Sequence, residues 1–216
     1  MRFVELVEAL TLGEAWLEAA RRIVERGAEA SWGGAPTREL ALLTLVVAEP
    51  DPSDSVIAAL GDPDWLHWMH ENFFVPKAVD ELGGADSYAV RLFDYEHRGR
   101  DQLGWVVQRL RDDPECRDAT ITTFQPRTDT TYVPCVSLLD FWIRDGALEL
   151  VVYAHGLDFG KKAYGNLVEL AALQAHVARE LDSGVGRLVL HVKTAHIYEP
   201  ELALLRELSS EAARPA

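Results

Sequence analysis

Cys135 is one of only two cysteines in the chain, and it directly follows proline in the stretch Thr131-Tyr132-Val133-Pro134-Cys135-Val136-Ser137. A thiolate is a soft, strong nucleophile, and a sulfur held at the mouth of a strand can face a cleft. Taken alone, a cysteine after proline reads as a buried core residue, because free cysteine is among the most buried types. Metal chemistry has little to stand on: the seven histidines show no ligand spacing with Cys or acidic residues, and no metal site is expected. A hydrolase signature of the Gly-x-Ser-x-Gly kind is also missing.

The elements that must position the thiol follow from periodicity. Leu12 to Arg26 reads as a helix with Leu12, Trp16, Ala19, Ala20, Ile23 and Val24 on one face, a Thr11/Glu14 capping box and a stop at Gly27. Gly33-Gly34-Ala35-Pro36 reads as a turn, followed by a strand from Leu40 to Val47 that breaks at Glu49-Pro50. Asp62 to Glu81 reads as helical with an interruption at Pro76, and Asp101 to Leu110 as an amphipathic helix. Thr120 to Phe124 reads as a strand. Leu138–Ile143 and Leu148–Tyr153 read as paired strands joined at Arg144-Asp145-Gly146. His155 to Gly165 is expected to be a loop, and Asn166 to Leu181 a helix. A turn at Ser183–Gly186, a strand over Leu188–Val192 and a C-terminal helix after Pro200 complete the chain. Strands and helices intermix without strict alternation, which predicts an α+β fold on one main mixed sheet flanked by helices, with residues 1–216 as a single domain.

At 216 residues, 48% hydrophobic and 26% charged, the chain is long enough for a proper core. A net charge of −14 argues against nucleic-acid or anionic-membrane binding through the general surface, though not against one small anion in a local basic pocket. Two cysteines make no disulfide framework, and a reducing cytoplasm fits. Met1-Arg2-Phe3-Val4-Glu5 lacks a signal-peptide core. No apolar run approaches the roughly 20 residues of a membrane span.

Several segments in order resemble the thymidylate synthase family, particularly its short archaeal-type form. They are Gly99-Arg100-Asp101-Gln102-Leu103 with Asp113-Pro114-Glu115-Cys116-Arg117, Val133-Pro134-Cys135, Phe141-Trp142-Ile143-Arg144-Asp145-Gly146, Asp158 with Asn166, and Ala195-His196-Ile197-Tyr198. The likeness is clearest over residues 88–198. It implies that the Cys135 thiolate adds to C6 of a pyrimidine, so that C5 attacks a one-carbon unit on 5,10-methylenetetrahydrofolate. Asn166 then matches the amide that reads the pyrimidine edge. Aspartate stands there in the dCMP hydroxymethylases, so asparagine leans toward a uracil-type ring. His196 and Tyr198 match the pair that bonds the sugar hydroxyl, Asp158 a residue contacting the folate, and Tyr88 an active-site tyrosine. Trp65 and Trp68 copy the spacing of two folate-packing tryptophans, although two tryptophans three apart on a helix also suit a core. Glu71 is the candidate for the acid that polarises the pyrimidine carbonyl. A two-fold homodimer is implied, with Arg117 reaching into the neighbour's site.

The departures fall on the phosphate site. The family's usual Arg-Ser pair before the aspartate is His155-Gly156 here, and its tandem arginine is Arg117-Asp118. Each lost charge-assisted bond costs about 1.5–3 kcal/mol, and Asp118 would repel a dianion. Arg38, Arg117, Lys161 and Lys162 remain as candidates for a rebuilt anion site. The expectation is a specialised pyrimidine C5-modifying transferase, methylating or hydroxymethylating, in secondary metabolism rather than housekeeping nucleotide biosynthesis. The alternatives are an enzyme of the same fold acting on an acceptor without the ordinary 5′-phosphate, and a non-catalytic pyrimidine-binding relative.

Overall fold

A computed structural model describes residues 4–202. Strand β1 (Glu5–Ala9) leads into helix α1 (Leu12–Arg26), whose start is set by reciprocal bonds. The Glu14 N–H donates to the Thr11 hydroxyl at 3.3 Å, and the Thr11 N–H donates back to the Glu14 carboxylate at 3.4 Å. Leu12, Trp16, Ala19, Ala20 and Ile23 are buried, as their spacing predicts.

Strands β2 (Ala28–Trp32) and β3 (Ala35–Val47) form a hairpin through Gly33 and Gly34, with φ of 57° and 84°. Two consecutive positive φ values suit a tight two-residue hairpin turn. The turn is therefore shorter than expected, and β3 begins at Ala35 rather than Leu40. Helices α2 (Ser55–Leu60) and α3 (Pro63–Phe74) follow, each started by an aspartate, Asp54 or Asp62, that accepts backbone N–H groups of the first turn. The helix expected to run to Glu81 ends at Phe74, because the residue before Pro76 disfavours the helical region. Beyond it, β4 (Ala78–Val79) pairs with β5 (Ala85–Asp86), and α4 (Tyr88–Phe93) leads toward α5 (Gln102–Asp112).

The second half supplies β6 (Ala119–Thr122), β7 (Val136–Arg144), β8 (Ala147–Ala154), β9 (Leu157–Asp158), α6 (Ala163–Glu180) and β10 (Gly184–Tyr198). Two expectations change here. The loop read as His155–Gly165 contains β9 and the first turn of α6. The turn read at Ser183–Gly186 lies largely within β10, which runs on through His196 to Tyr198. A helix is described over residues 199–202, and the rest of the stretch read as a C-terminal helix lies outside the described residues.

The main sheet has eight strands, with path β1-β3-β10-β8-β7-β6, β2 on β3 and β9 on β10. It is mixed: β1 is parallel to β3, β10 antiparallel to β3 and parallel to β8, and β7 antiparallel to both β8 and β6. The α+β fold on one main sheet is therefore as the sequence implies. One face carries α1, α5 and α6 over a core that includes Leu45, Phe141, Leu150, Leu170 and Leu190. The opposite face leaves Leu6, Leu138, Trp142 and Tyr153 exposed.

Candidate active site

The loop into Cys135 is held at both ends. Arg91 on α4 is almost fully buried and grips Asp129 with two bonds of 2.8 Å. The same guanidinium donates to the carbonyls of Thr123 at 2.8 Å and Asp86 at 2.9 Å. Tyr95 donates to the Phe124 carbonyl at 2.7 Å. At the far end, the Val136 N–H donates to the Tyr88 hydroxyl at 2.9 Å, and the His155 N–H to the Cys135 carbonyl at 3.0 Å. A half-buried thiol thus sits at the entry to β7, beside the tyrosine of α4.

The second wall is the turn from β9 into α6. Trp16 Nε1 donates to the Phe159 carbonyl at 2.9 Å, and its ring lies 4.7 Å from that of Tyr164. The Asp158 carboxylate accepts from the Gly160 N–H at 2.9 Å, and its carbonyl accepts from the Lys162 N–H at 3.0 Å. Asn166, buried one turn into α6, donates its side-chain amide to the Lys162 carbonyl at 2.9 Å. The Lys162 ammonium lies 5.0 Å from the Trp65 ring and 5.1 Å from the Trp68 ring, which pack edge to face at 5.7 Å.

Strand β10 closes the site. Its buried positions run Leu188, Leu190, Val192 and then shift to Ala195 and Ile197, near Leu42 of β3 with its strained φ of 55°. The shift sets His196 and Tyr198 half-buried, with rings 5.3 Å apart, where β10 pairs with Asp158 of β9. Electrostatics tie these groups together. Burial pushes the Cys135 thiol upward; Lys162 opposes that shift and Asp158 adds to it. Burial also raises Asp158 against the pull of His196. Burial raises Tyr198, with Asp158 and Cys135 adding to the effect. Tyr88 and Tyr132 are raised by burial and by the sulfur nearby.

The structure thus brings Cys135, Tyr88, Asp158, His196 and Tyr198 into one neighbourhood, with Asn166, Trp65 and Trp68 linked to it through Lys162. Other candidates stand apart. Arg38 donates to the Val24 carbonyl at 2.9 Å, closing the end of α1. Glu71 pairs with Lys77 at 2.7 Å, which lowers its pKa. Arg117 is exposed just before edge strand β6. The His155 ring meets the Ser137 hydroxyl at 3.5 Å, and burial, helped by Lys193, disfavours its charge. Sequence reasoning passed over Tyr132 and the Arg91–Asp129 pair. Tyr132 adjoins the singled-out Pro-Cys, but loop residues carry no periodicity to give a direction. A larger cleft of about 500 Å³ lies between α2, α3 and α6, against Asp54, His70 and Glu169, away from the thiol.

A family profile described as thymidylate synthase matches residues 53–216, about three quarters of the chain and all of this site. The chain belongs to the thymidylate synthase family. It is similar to a protein named "Putative thymidylate synthase" from Methanothermobacter marburgensis, 30% identical over 91% of this chain and 94% of that one. A protein of the same name from Methanothermobacter thermautotrophicus is 31% identical over 89% and 93%. A bifunctional dihydrofolate reductase-thymidylate synthase from Paramecium tetraurelia is 26% identical over 53% of this chain and 25% of its own length. Thymidylate synthases are transferases that methylate pyrimidine nucleotides at C5 with a folate one-carbon donor. Among the described residues, no helix is long and apolar enough to cross a membrane.

Proposed function

We propose that this chain, as one domain, transfers a one-carbon unit from 5,10-methylenetetrahydrofolate to C5 of a pyrimidine through a covalent adduct at Cys135. The observation that carries the reading is the meeting of a half-buried thiol with Tyr88, Asp158, His196 and Tyr198 from three separate elements. Sulfur adds to C6, the negative charge moves to C5, and C5 becomes the nucleophile. Asn166 reads the pyrimidine edge, where a mismatched base leaves buried polar groups unpaired. His196 and Tyr198 hold the sugar. The Tyr88 hydroxyl accepts from the N–H of Val136, the residue after Cys135, and is placed to hold or move a proton near the reacting carbons.

The indole faces of Trp65 and Trp68 and the buried Asp158 carboxyl suit a flat, hydrogen-bonding pterin ring. Bound there, methylenetetrahydrofolate supplies the one-carbon unit at the oxidation level of formaldehyde.

The phosphate site favours a specialised substrate. Arg38 is engaged with the end of α1, Lys161 pairs with Glu201 at 2.6 Å, and Asp118 is bonded to Arg109 at 2.9 Å. This arrangement supports the second reading as well, an acceptor without the ordinary 5′-phosphate. A homodimer packed sheet to sheet fits the exposed face. Leu138 pairs with Tyr153 across β7 and β8, and Trp142 lies four residues further along β7, an even step that keeps it on the same side. Arg117, exposed just before β6, is then available to a neighbouring subunit's site.

The test is tritium release from C5-labelled dUMP, UMP, dCMP, CMP and the free nucleosides in the presence of methylenetetrahydrofolate. Release from at least one is expected, with Cys135→Ser abolishing it. Release from none, or undiminished release by the variant, contradicts the proposal. Efficient turnover of dUMP at micromolar concentration contradicts the specialised role alone.

A further inference from the structure

We propose that Asn72 is a positioning residue for the active site, setting through Tyr88 the backbone that carries Cys135 into β7. The inference rests on the reading of Cys135 as the nucleophile. Asn72 stands on α3, four residues after Trp68, and is 3% exposed. Its side-chain oxygen accepts the Tyr88 N–H at 3.2 Å, inside the protein. The next residue, Phe73, stacks its ring on that of Tyr88, with centroids 4.4 Å apart and planes inclined by 29°. At the far end of the same side chain, the Tyr88 hydroxyl accepts the Val136 N–H at 2.9 Å. Tyr88 is thus held at its backbone, its ring and its hydroxyl. Two of those holds come from consecutive residues of α3, and the third joins it to the residue after the thiol.

Capping alone does not explain Asn72. Ser87 already caps α4, its hydroxyl accepting the Val90 N–H at 3.3 Å. The same hydroxyl accepts the Lys77 N–H at 3.1 Å and donates to the Val75 carbonyl at 3.2 Å, so it also fastens the start of α4 to the chain leaving α3. Asn72 adds one acceptor, for the N–H of the residue whose side chain reaches β7. A buried N–H needs a partner, and an amide oxygen supplies one without burying a charge. The Asn72 side chain also lines a small pocket together with Tyr132 and Pro134, at the root of the thiol loop. Val136 is held through both of its backbone groups: its N–H by Tyr88, and its carbonyl by the Thr123 hydroxyl, which donates to it. A displacement of Tyr88 therefore passes to the residue that follows Cys135. One helix, α3, supports both the indole pair and the tyrosine beside the thiol.

The experiment is amide hydrogen exchange of Val136, followed by NMR in the ligand-free protein, which reads the Tyr88–Val136 bond without turnover. Tyr88→Phe removes the acceptor and is expected to speed Val136 exchange about tenfold, the worth of one ordinary hydrogen bond. Asn72→Leu is expected to speed it several-fold, and to add nothing in the Tyr88→Phe background. Asn72→Asp keeps an accepting oxygen and should stay near the parent rate. Faster exchange confined to α4, with Val136 unmoved, means a local cap only and overturns the proposal, as do increments that add in the double variant. Should Asn72→Leu fail to fold by near-ultraviolet circular dichroism, Asn72→Ala carries the same comparison, and an unmoved Val136 amide in it overturns the proposal equally. Where the parent releases tritium, the Asn72 variant that loosens Val136 should lower kcat and leave KM for the pyrimidine near that of the parent; an unchanged kcat overturns the positioning role. The outcomes separate from those of the functional reading. Tritium release with Val136 exchange unmoved removes Asn72 only, and a responsive Val136 amide in a protein that releases no tritium removes only the transferase chemistry.

Discussion

At the residue scale, the thiol is the point of tension. Burial favours its neutral form, and Lys162 only partly offsets that. Alkylation of Cys135 in the ligand-free protein should therefore keep rising as pH climbs beyond the ordinary cysteine pKa of about 8.5. A plateau at or below that value contradicts the environment described. The sign for stability follows from the same shift. A group whose folded pKa is raised contributes stability that is present below its unfolded pKa and lost as pH rises through the folded one. Cys135→Ser removes the group, so its stability relative to the parent should improve in alkali, as read from urea midpoints. The sequence made Cys135, Asp158, His196 and Tyr198 legible because each stands in a short ordered motif. Tyr132 was not legible, because it depends on where a loop turns a side chain and carries no periodic signal.

At the element scale, the Cys135 loop depends on one buried ion pair. Asp129→Asn leaves the Arg91 guanidinium, only 2% exposed, without its countercharge. Loss of one partner of a buried pair costs about 3–5 kcal/mol, to be measured by urea unfolding. A cost below about 1 kcal/mol would contradict the anchoring role. By contrast Thr11→Ala should cost about 1 kcal/mol, the usual value for a lost helix cap. That cap was readable because the Thr11/Glu14 spacing is itself the structure. The start of α6 was not. Lys162 occupies its cap with no side-chain bond, so no Ser, Thr, Asp or Asn announces a helix three residues before Asn166. Strand β10 hides in a similar way. Gly184 and Gly186 read as a turn, yet Gly186 is glycine because a Cβ there would lie 3.0 Å from the Leu148 carbonyl oxygen. The register shift between Val185 and Leu188 absorbs the close approach.

At the scale of the whole molecule, the uncovered sheet face sets the assembly expected. Leu6, Leu138, Trp142 and Tyr153 lie on that side of the sheet and are all more than a third exposed. Burying such a face between two copies removes apolar surface from water. Sedimentation should give twice the chain mass at micromolar concentration, and Trp142→Asp should give the single-chain mass with the fold retained. A monomeric parent protein contradicts the dimer. The overall architecture was legible because the strands of β7 and β8 and the helices α1 and α5 obey their apolar periods. The edges were not, because β2 alternates with no buried face and β9 is only two residues long.

The account stands on a transient bond between the sulfur of Cys135 and C6 of a pyrimidine. The direct measurement is peptide mass spectrometry on protein denatured during reaction with methylenetetrahydrofolate and a substrate carrying fluorine at C5, which cannot leave as a proton does and so holds the adduct. The pyrimidine mass should appear on the Cys135 peptide and vanish in Cys135→Ser. Product formation from the unfluorinated substrate with the Cys135 peptide left unmodified, or the added mass on a different residue, would contradict it.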